Sequence, residues 1–263
     1  MVAVFSIHTA FYIDAMSFLC SALLLTQLSR WASKQKTGQG KERMWQQLVE
    51  GTKFIRKDAV LWYGTLVLGA ILLAVMVADS QLTVLLRQIP HMSPTFIAIA
   101  MAASGIGMLL GAGVLSQRST RSVMAALGSG SAGIGVVYGF AANFTHVSIT
   151  LAWALLPALF LVGGACAALV FIPFQAAMQK RTPVEFTGRV FGTLNSVMTL
   201  STILGPVVGG ILVTTCGVVG AFLGCGIALV MLGLVILAIK NKIEPRDSYV
   251  AESNGGTQGA TEA

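Results

Sequence analysis

Residues 217–239 read GVVGAFLGCGIALVMLGLVILAI, a stretch without any charged side chain, and Lys240 follows it directly. A helix needs about 20 mostly apolar residues to cross the hydrocarbon core of a bilayer, and this stretch has that length. In lipid every backbone N–H and C=O group must be paired within the protein, and a helix pairs its own. The stretch therefore predicts a transmembrane helix.

Six more stretches of this kind precede it, at residues 4–28, 60–86, 95–116, 123–142, 149–172 and 190–213. The only charged residues within the seven stretches are Asp14 and Asp79. Of all 263 residues, 55% are hydrophobic and 10% are charged, whereas a soluble domain has about 25% charged residues. The sequence predicts an all-α integral membrane protein with seven transmembrane helices and the lipid bilayer as its surroundings.

The basic residues indicate the orientation of these helices. Of the 17 lysine and arginine residues, all except Arg87 fall in the connections and the tail on one side of the predicted spans. Basic loops remain in the cytoplasm. We therefore expect a multi-pass protein of the cell (inner) membrane, with its N-terminus outside and its C-terminus cytoplasmic. The net charge of +7 then reflects topology, and nucleic acid is not an expected partner.

The spans predict four parts of the chain. Residues 1–28 form one transmembrane helix, 29–59 a central cytoplasmic loop, 60–239 a six-helix transmembrane domain, and 240–263 a disordered cytoplasmic tail rich in small and polar residues.

The second half of the central loop has a helical pattern. Met44, Leu48 and Ile55 recur at helical spacing among basic residues. This predicts an amphipathic helix on the inner leaflet, with a solvated linker helix as the alternative. At the start of the chain, the first span follows Met1 without the basic segment that a secretory signal peptide has. We therefore expect the chain to be part of a longer sequence in which other membrane spans precede it.

Glycine is the most informative residue of the spans, and the whole chain has 29 glycines. Small residues four positions apart let helix backbones approach closely in lipid. Several pairs have this spacing, among them Gly107 and Gly111, Gly135 and Gly139, and Gly220 and Gly224. We expect them to pack helices together, although hinges in a moving bundle are an alternative.

The stretch 190–213 carries a proline and a polar stripe. The run GPVVGG at 205–210 places a proline inside the span, which removes a backbone hydrogen bond and predicts a kink. Five polar or small residues recur at helical offsets and form one stripe through the membrane. They are Asn195, Thr199, Thr202, Pro206 and Gly209. Such a stripe lines an aqueous pathway or packs against another helix.

Two carboxylates lie within the predicted spans. Asp14 is about 15 Å into its helix, where a charge is costly, so we expect it to face protein or water. Asp79 is about 28 Å into an outward-running helix and has Gln81 close by, which predicts a group in the outer vestibule. The candidates for the substrate pathway or for proton coupling are Asp14, Asp79, Gln81, Asn195, Thr199 and Thr202.

The sequence predicts no catalytic residue, cofactor or metal site. The four cysteines, Cys20, Cys166, Cys216 and Cys225, have no metal-binding or redox spacing and are interpreted as small buried apolar residues. The three histidines fall near the outer surface, whereas a membrane serine protease needs one at depth. The last span also lacks the lysine to which retinal attaches. An enzyme and a retinal protein are therefore disfavoured.

Four stretches resemble the major facilitator superfamily, and within it the drug and siderophore exporters related to macrolide efflux and enterobactin export proteins. FYIDAMSFLCSA at 11–22 is similar to their sixth helix, and PVEFTGRVFG at 183–192 to the loop before their eleventh. GVLSQRSTR at 113–121 resembles the basic motif G-x-L-x-D-R-x-G-R, with Gln117 for aspartate and Thr120 for the second glycine. GPVVGG resembles the antiporter signature of the fifth helix. The motif residues are Gly113, Arg118, Arg121, Gly188, Arg189, Gly205, Pro206, Gly209 and Gly210.

The resemblance implies that the seven spans are helices six to twelve of a twelve-helix transporter, the C-terminal half and the last helix of the N-terminal half. The other five helices would come from the same chain or a partner chain. It implies efflux of amphipathic small molecules such as drugs or siderophores, coupled to protons, by alternating access. The alternative is a truncated, non-transporting remnant or a membrane interaction module derived from a transporter.

Overall fold

The computed structural model describes residues 7–32, 44–87, 94–117, 122–143 and 149–243, and these residues contain only helices and short connections. The helices are α1 (Ile7–Ala32), α2 (Met44–Lys57), α3 (Ala59–Arg87), α4 (Pro94–Gln117), α5 (Val123–Asn143), α6 (Ile149–Arg181) and α7 (Thr187–Ile243). A 3-10 turn, Val184–Phe186, precedes α7. The chain divides into two compact units, Met1–Met44 and Trp45–Ala263. The prediction of a disordered tail, residues 240–263, is wrong for residues 240–243, which are the last residues of α7, and the rest of the tail lies outside the described residues.

Helix α7 accounts for two crossings of the membrane. Its 57 residues would span about 86 Å as a straight helix, against a hydrocarbon core of about 30 Å. The helix breaks at Gly217, whose φ of 74° and ψ of 169° are not helical. Glycine adopts a positive φ without the steric cost that a side chain brings. We call the two parts α7a (187–216) and α7b (218–243).

The described helices account for all seven predicted spans. Helices α3 to α7 are long and apolar enough to cross a membrane, and α1 contains a shorter apolar part, Phe11–Gln27. Because α7 contains two spans, the prediction of an all-α membrane fold with seven apolar helices is confirmed.

Helices α5 and α7b pack backbone to backbone and run antiparallel. A Cβ atom added to Gly135 would lie 2.6 Å from the carbonyl oxygen of Gly226, and one added to Gly233 would lie 2.5 Å from that of Gly128. Between these contacts the hydroxyl of Ser131 donates a 2.9 Å hydrogen bond to the carbonyl of Leu229. Glycine is required here because the neighbouring backbone occupies the space of a side chain.

Two other helix pairs run parallel. Helix α4 packs on α6, where a Cβ added to Gly111 would lie 3.0 Å from the carbonyl oxygen of Ala165 and one added to Gly107 would collide with the carbonyl of Leu161. Helix α3 packs on α7a, where Gly209 lies against Ser80. These directions are those of consecutive helices that alternate across a membrane.

The glycine predictions are confirmed in part. Gly107, Gly111 and Gly135 pack against neighbouring helices, and Gly139 lies beside Gly226. The prediction for Gly220 and Gly224 is wrong, because a Cβ added to Gly224 meets no atom within 4 Å, and one added to Gly220 meets only Cys216 at the end of α7a, four positions earlier in the chain. Helix α7b instead turns Gly226 and Gly233 toward α5.

The surface of the 45–263 unit exposes large apolar side chains. Leu109 is 74% exposed, Ile203 61% and Ile227 64%. An apolar surface of this extent matches lipid rather than water.

The cysteine prediction is correct for Cys225, which is buried, and wrong for Cys20 and Cys216, which are exposed, while Cys166 is half-buried. A thiol is apolar enough to stand in either place.

Candidate functional site

Asp79 has a partner that sequence reasoning missed. The hydroxyl of Tyr138 on α5 donates a 2.8 Å hydrogen bond to Oδ1 of Asp79 on α3. The Tyr138 side chain is only 8% exposed, and its ring packs edge to face on Phe222 of α7b, with centroids 5.8 Å apart. Such packing fixes the ring. The fixed phenol in turn orients the carboxylate.

A cavity of about 130 Å³ lies beside this pair, between α3, α4, α5 and α6. Three of its lining residues have polar side chains: Asp79, Ser104 and Tyr138. The rest of the lining is apolar or glycine: Ile71, Leu72, Val75, Ile134, Val137, Phe160, Gly163, Ala167, Val170 and Phe171. A drug-sized ligand needs about 300–1,000 Å³. The cavity is therefore suited to water or a small chemical group beside the carboxylate.

Asp79 itself is exposed, although the tyrosine that holds it is buried. The exposed apolar residues Leu66 and Val84 of the same helix lie about 140° around from it. The carboxylate therefore does not share their apolar face. An exposed acid on a membrane helix faces protein or water. Its assignment to an outer vestibule stays a prediction.

The polar stripe of α7a lies on one face of the helix, and its exposure changes along its length. Asn195, Thr199, Thr202 and Pro206 are exposed, whereas Gly209 is buried. A Cβ added to Gly209 would lie 2.8 Å from the hydroxyl of Ser80 on α3. The stripe predicted as a single surface thus packs against α3 at its C-terminal end and is open along the rest of its length.

The other residues of the GPVVGG run lie close to the point where the stripe changes from exposed to buried. Gly205 is buried against Met76 of α3, and a Cβ added to Gly210 would meet no atom within 4 Å. Pro206 lies inside α7, where the non-helical dihedral angles fall at Gly217. The break in the helix is therefore at Gly217, and the kink at Pro206 stays a prediction.

A groove of about 440 Å³ opens beside the stripe, between α6 and α7a. It is lined by Gln175, Phe191, Gly192, Leu194, Asn195 and Met198. Its two carboxamides, Gln175 and Asn195, are both exposed, and each can donate and accept hydrogen bonds. Sequence reasoning missed Gln175, because one amide in an apolar run has no spacing that marks it.

Arg189 ties helix α2 to the start of α7a. Its guanidinium forms an ion pair with Glu50 of α2, and lies 5.8 Å from the ring centroid of Phe186. Phe186 stacks on Phe54 of α2, with centroids 5.2 Å apart and planes 15° from parallel. Gly51 faces the backbone of Arg189 at the same contact. The amphipathic segment is therefore a helix docked on the protein by one face.

A second ion pair links α3 to α6 at the same end of the bundle. Arg181 lies 3.0 Å from Oδ2 of Asp58. Oδ1 of Asp58 accepts a 2.8 Å hydrogen bond from the backbone N–H of Val60, which caps α3. An acidic cap at a helix N-terminus satisfies its free N–H groups.

The remaining predicted residues that the structure describes belong to separate helices. Asp14 is exposed on α1, Gly188 is exposed at the start of α7a, and Gly113 is exposed at the end of α4. Gln81 is half-buried, and its amide donates a 3.3 Å hydrogen bond to the hydroxyl of Ser80. Arg118 and Arg121 lie outside the described residues. Within the described ranges, no three His, Cys, Asp or Glu side chains are grouped to hold a metal ion.

Known membrane transport proteins resemble this chain in sequence. The chain is 38% identical over 261 residues to the "Uncharacterized MFS-type transporter YfiS" of Bacillus subtilis (strain 168), in an alignment that covers 98% of this chain and 62% of that protein. The chain thus spans less than two thirds of the length of this relative. No solved structure matches. Residues 1–201 and 82–262 match the family described as the Major Facilitator Superfamily. Because these matches extend over nearly the whole chain, the protein is a multi-pass membrane protein that belongs to the major facilitator superfamily.

Proposed function

We propose that the chain is the C-terminal half, with the last helix of the N-terminal half, of a secondary transporter that exports amphipathic small molecules such as drugs or siderophores. In this proposal five further helices come from the same chain or from a partner chain. Export is driven by proton antiport and follows alternating access, in which the substrate site lies between the two halves.

The observation that carries the proposal is the division of the exposed surface of α7a. Leu200, Val207 and Ile211 form an apolar flank, and Asn195 and Thr202 lie on a separate polar flank. The Thr202 hydroxyl donates a hydrogen bond to the carbonyl of Met198 within its own helix, so the exposed carboxamide of Asn195 carries the argument. Polar side chains of membrane helices face the interior of the protein or a water-filled cavity rather than lipid. The polar flank therefore faces the substrate pathway, and the Gln175 and Asn195 groove offers hydrogen bonds to the substrate there.

Asp79 is the proposed proton carrier of this half. It is an exposed carboxylate on a face turned from lipid, and a buried tyrosine holds it at the edge of a cavity with room for water. A proton carrier needs such contact with water to exchange its proton. The direction of transport and the substrate class rest on the exporter-like stretches, especially FYIDAMSFLCSA at 11–22.

We expect the chain to lower the accumulation of a fluorescent lipophilic drug once the missing helices are supplied. The measurement uses efflux-deficient bacteria that produce a chimera, in which the part of the Bacillus relative outside the alignment precedes this chain. Dye accumulation should fall, and a protonophore should restore it, because proton entry drives the export step. Cells that produce the 263-residue chain alone are compared with the same dye.

A chimera that is present in the membrane but leaves accumulation of drugs and siderophores unchanged would contradict export and favour the non-transporting alternative. Increased uptake would reverse the proposed direction. Reduced accumulation that a protonophore does not affect would remove the proton coupling.

The proposed orientation predicts where reporter fusions are active. Fusions at Lys36, Arg181 and the C-terminal tail should report the cytoplasm, and fusions near Pro90 and Thr145 should report the outside, because basic loops stay inside. Membrane fractionation should recover the protein with the cell membrane. Two or more inverted fusions would overturn the orientation.

A further inference from the structure

Helix α2 has a second face, opposite to the one that docks on α7a. Val49, Lys53, Arg56 and Lys57 lie within about 100° of one another around the helix. All four are exposed, and Val49 is 47% exposed. The docked residues Gly51 and Ile55 are buried on the other side. We call the four exposed residues the basic stripe.

Among the residues that the structure describes, the acidic side chains at this end of the protein do not compensate the charge of the basic stripe. Glu50 is paired with Arg189 of α7a, and Asp58 with Arg181 of α6. Glu185 lies on the 3-10 turn beside Phe186, on the docked side of α2. The three cations of the stripe therefore present a local positive surface.

The stripe lies at the depth of the membrane interface. The guanidinium carbon of Arg56 is 5.2 Å from the ring centroid of Trp62, which lies in the first turn of the membrane-spanning helix α3. The next residue, Tyr63, is 48% exposed. Tryptophan and tyrosine concentrate at the level of lipid headgroups. Arg56 thus reaches the plane in which headgroup phosphates lie.

We propose that the basic stripe binds the headgroups of anionic phospholipids, with phosphatidylglycerol as the probe. Charge complementarity and position support this partner, because clustered Lys and Arg beside a transmembrane helix attract anionic lipids. The single apolar residue of the stripe, Val49, suits contact with lipid at the interface and offers little apolar area to a protein partner. The docked face holds the stripe in place without the lipid. This proposal does not depend on transport.

The test measures lipid binding by the full chain, purified in a nonionic detergent and examined by native mass spectrometry. Phosphatidylglycerol and zwitterionic phosphatidylcholine of equal chain length are titrated separately. We expect phosphatidylglycerol to bind at least tenfold tighter. The variant Lys53→Gln/Arg56→Gln/Lys57→Gln should lose at least tenfold in affinity for it, since each cation near a lipid surface contributes roughly fivefold.

A matched control removes the same charge from other helices at this end, as Lys180→Gln/Lys240→Gln/Lys242→Gln. It should change the affinity less than twofold. Lys53→Arg/Lys57→Arg keeps the charge of the stripe and should bind like the parent, and a monodisperse elution profile shows that each variant is folded. Equal binding of the two lipids by the parent would overturn the proposal. Unchanged phosphatidylglycerol binding in the α2 variant, or an equal loss in the control, would also overturn it.

Discussion

Gly135→Ala is expected to lower the melting temperature and the yield of folded protein sharply, whereas Gly139→Ala, one turn later on α5, is expected to be tolerated. The added methyl carbon at position 135 would lie 2.6 Å from the carbonyl oxygen of Gly226 and 2.8 Å from the backbone nitrogen of Val230. Both atoms belong to the backbone of α7b and have no rotamer with which to move away. At position 139 the added carbon meets no atom within 4 Å.

The helices must separate to admit the methyl group at position 135. Separation would stretch the 2.9 Å hydrogen bond from Ser131 to Leu229 one turn away, and would loosen the contact of Gly128 with Gly233. Overpacking a well-packed interior costs about 1–3 kcal/mol. Fluorescence-detected size-exclusion chromatography after heating in mild detergent measures the loss.

The partner helix provides a reciprocal test. A methyl carbon at Gly226 would lie 2.8 Å from the carbonyl oxygen of Gly135, while one at Gly224 would meet no atom within 4 Å. Gly226→Ala should therefore behave like Gly135→Ala, and Gly224→Ala like the parent. Equal melting temperatures for all four variants would show that α5 and α7b are not in backbone contact.

The same glycines show which features of the fold can be predicted from the sequence. Helix number and type follow from local properties, namely the length of each apolar stretch and the charge between stretches. The packing role of a glycine depends on which neighbour its face meets. Gly224 and Gly226 are both small residues in one apolar run, and only the position of α5 distinguishes them.

The candidate site was less accessible to sequence reasoning for a similar reason. Asp79 stood out as a charge within a span. Tyr138 is 59 positions away, and a tyrosine near the end of a membrane span is common, so nothing in the sequence marks it as the partner of Asp79. The ion pair of Glu50 with Arg189 joins residues 139 positions apart. Periodicity predicted a helix for the segment of α2, and it gave no information on its docking partner.

The polar stripe of α7a illustrates an intermediate case. Helical spacing correctly placed Asn195, Thr199 and Thr202 on one face. Spacing alone left two uses of that face open. In the structure one part of the face packs against a helix and another part does not, because α3 covers Gly209 and leaves the threonines exposed.

Asp79→Leu is expected to destabilise the protein, and the addition of Tyr138→Phe is expected to recover most of the loss. Leucine leaves the buried hydroxyl of Tyr138 without its acceptor, and an unsatisfied buried donor costs about 1–3 kcal/mol. Phenylalanine removes that donor and keeps the edge-to-face contact with Phe222, so the double variant contains no orphaned group. Melting temperatures of the four proteins of this cycle, measured in detergent, give the coupling between the two side chains.

Asp79→Asn separates the structural role of the carboxyl group from its proposed role in coupling. The amide oxygen still accepts the hydrogen bond from Tyr138, so this variant should melt like the parent. It cannot exchange a proton, so in the drug-exporting chimera it should remove the difference in accumulation that a protonophore abolishes. Asp14→Asn serves as the comparison, because Asp14 is the other charge within the spans. If Asp79→Asn retains protonophore-sensitive export and Asp14→Asn loses it, the proton carrier is on α1, and the Asp79–Tyr138 pair serves only the fold of the 45–263 unit.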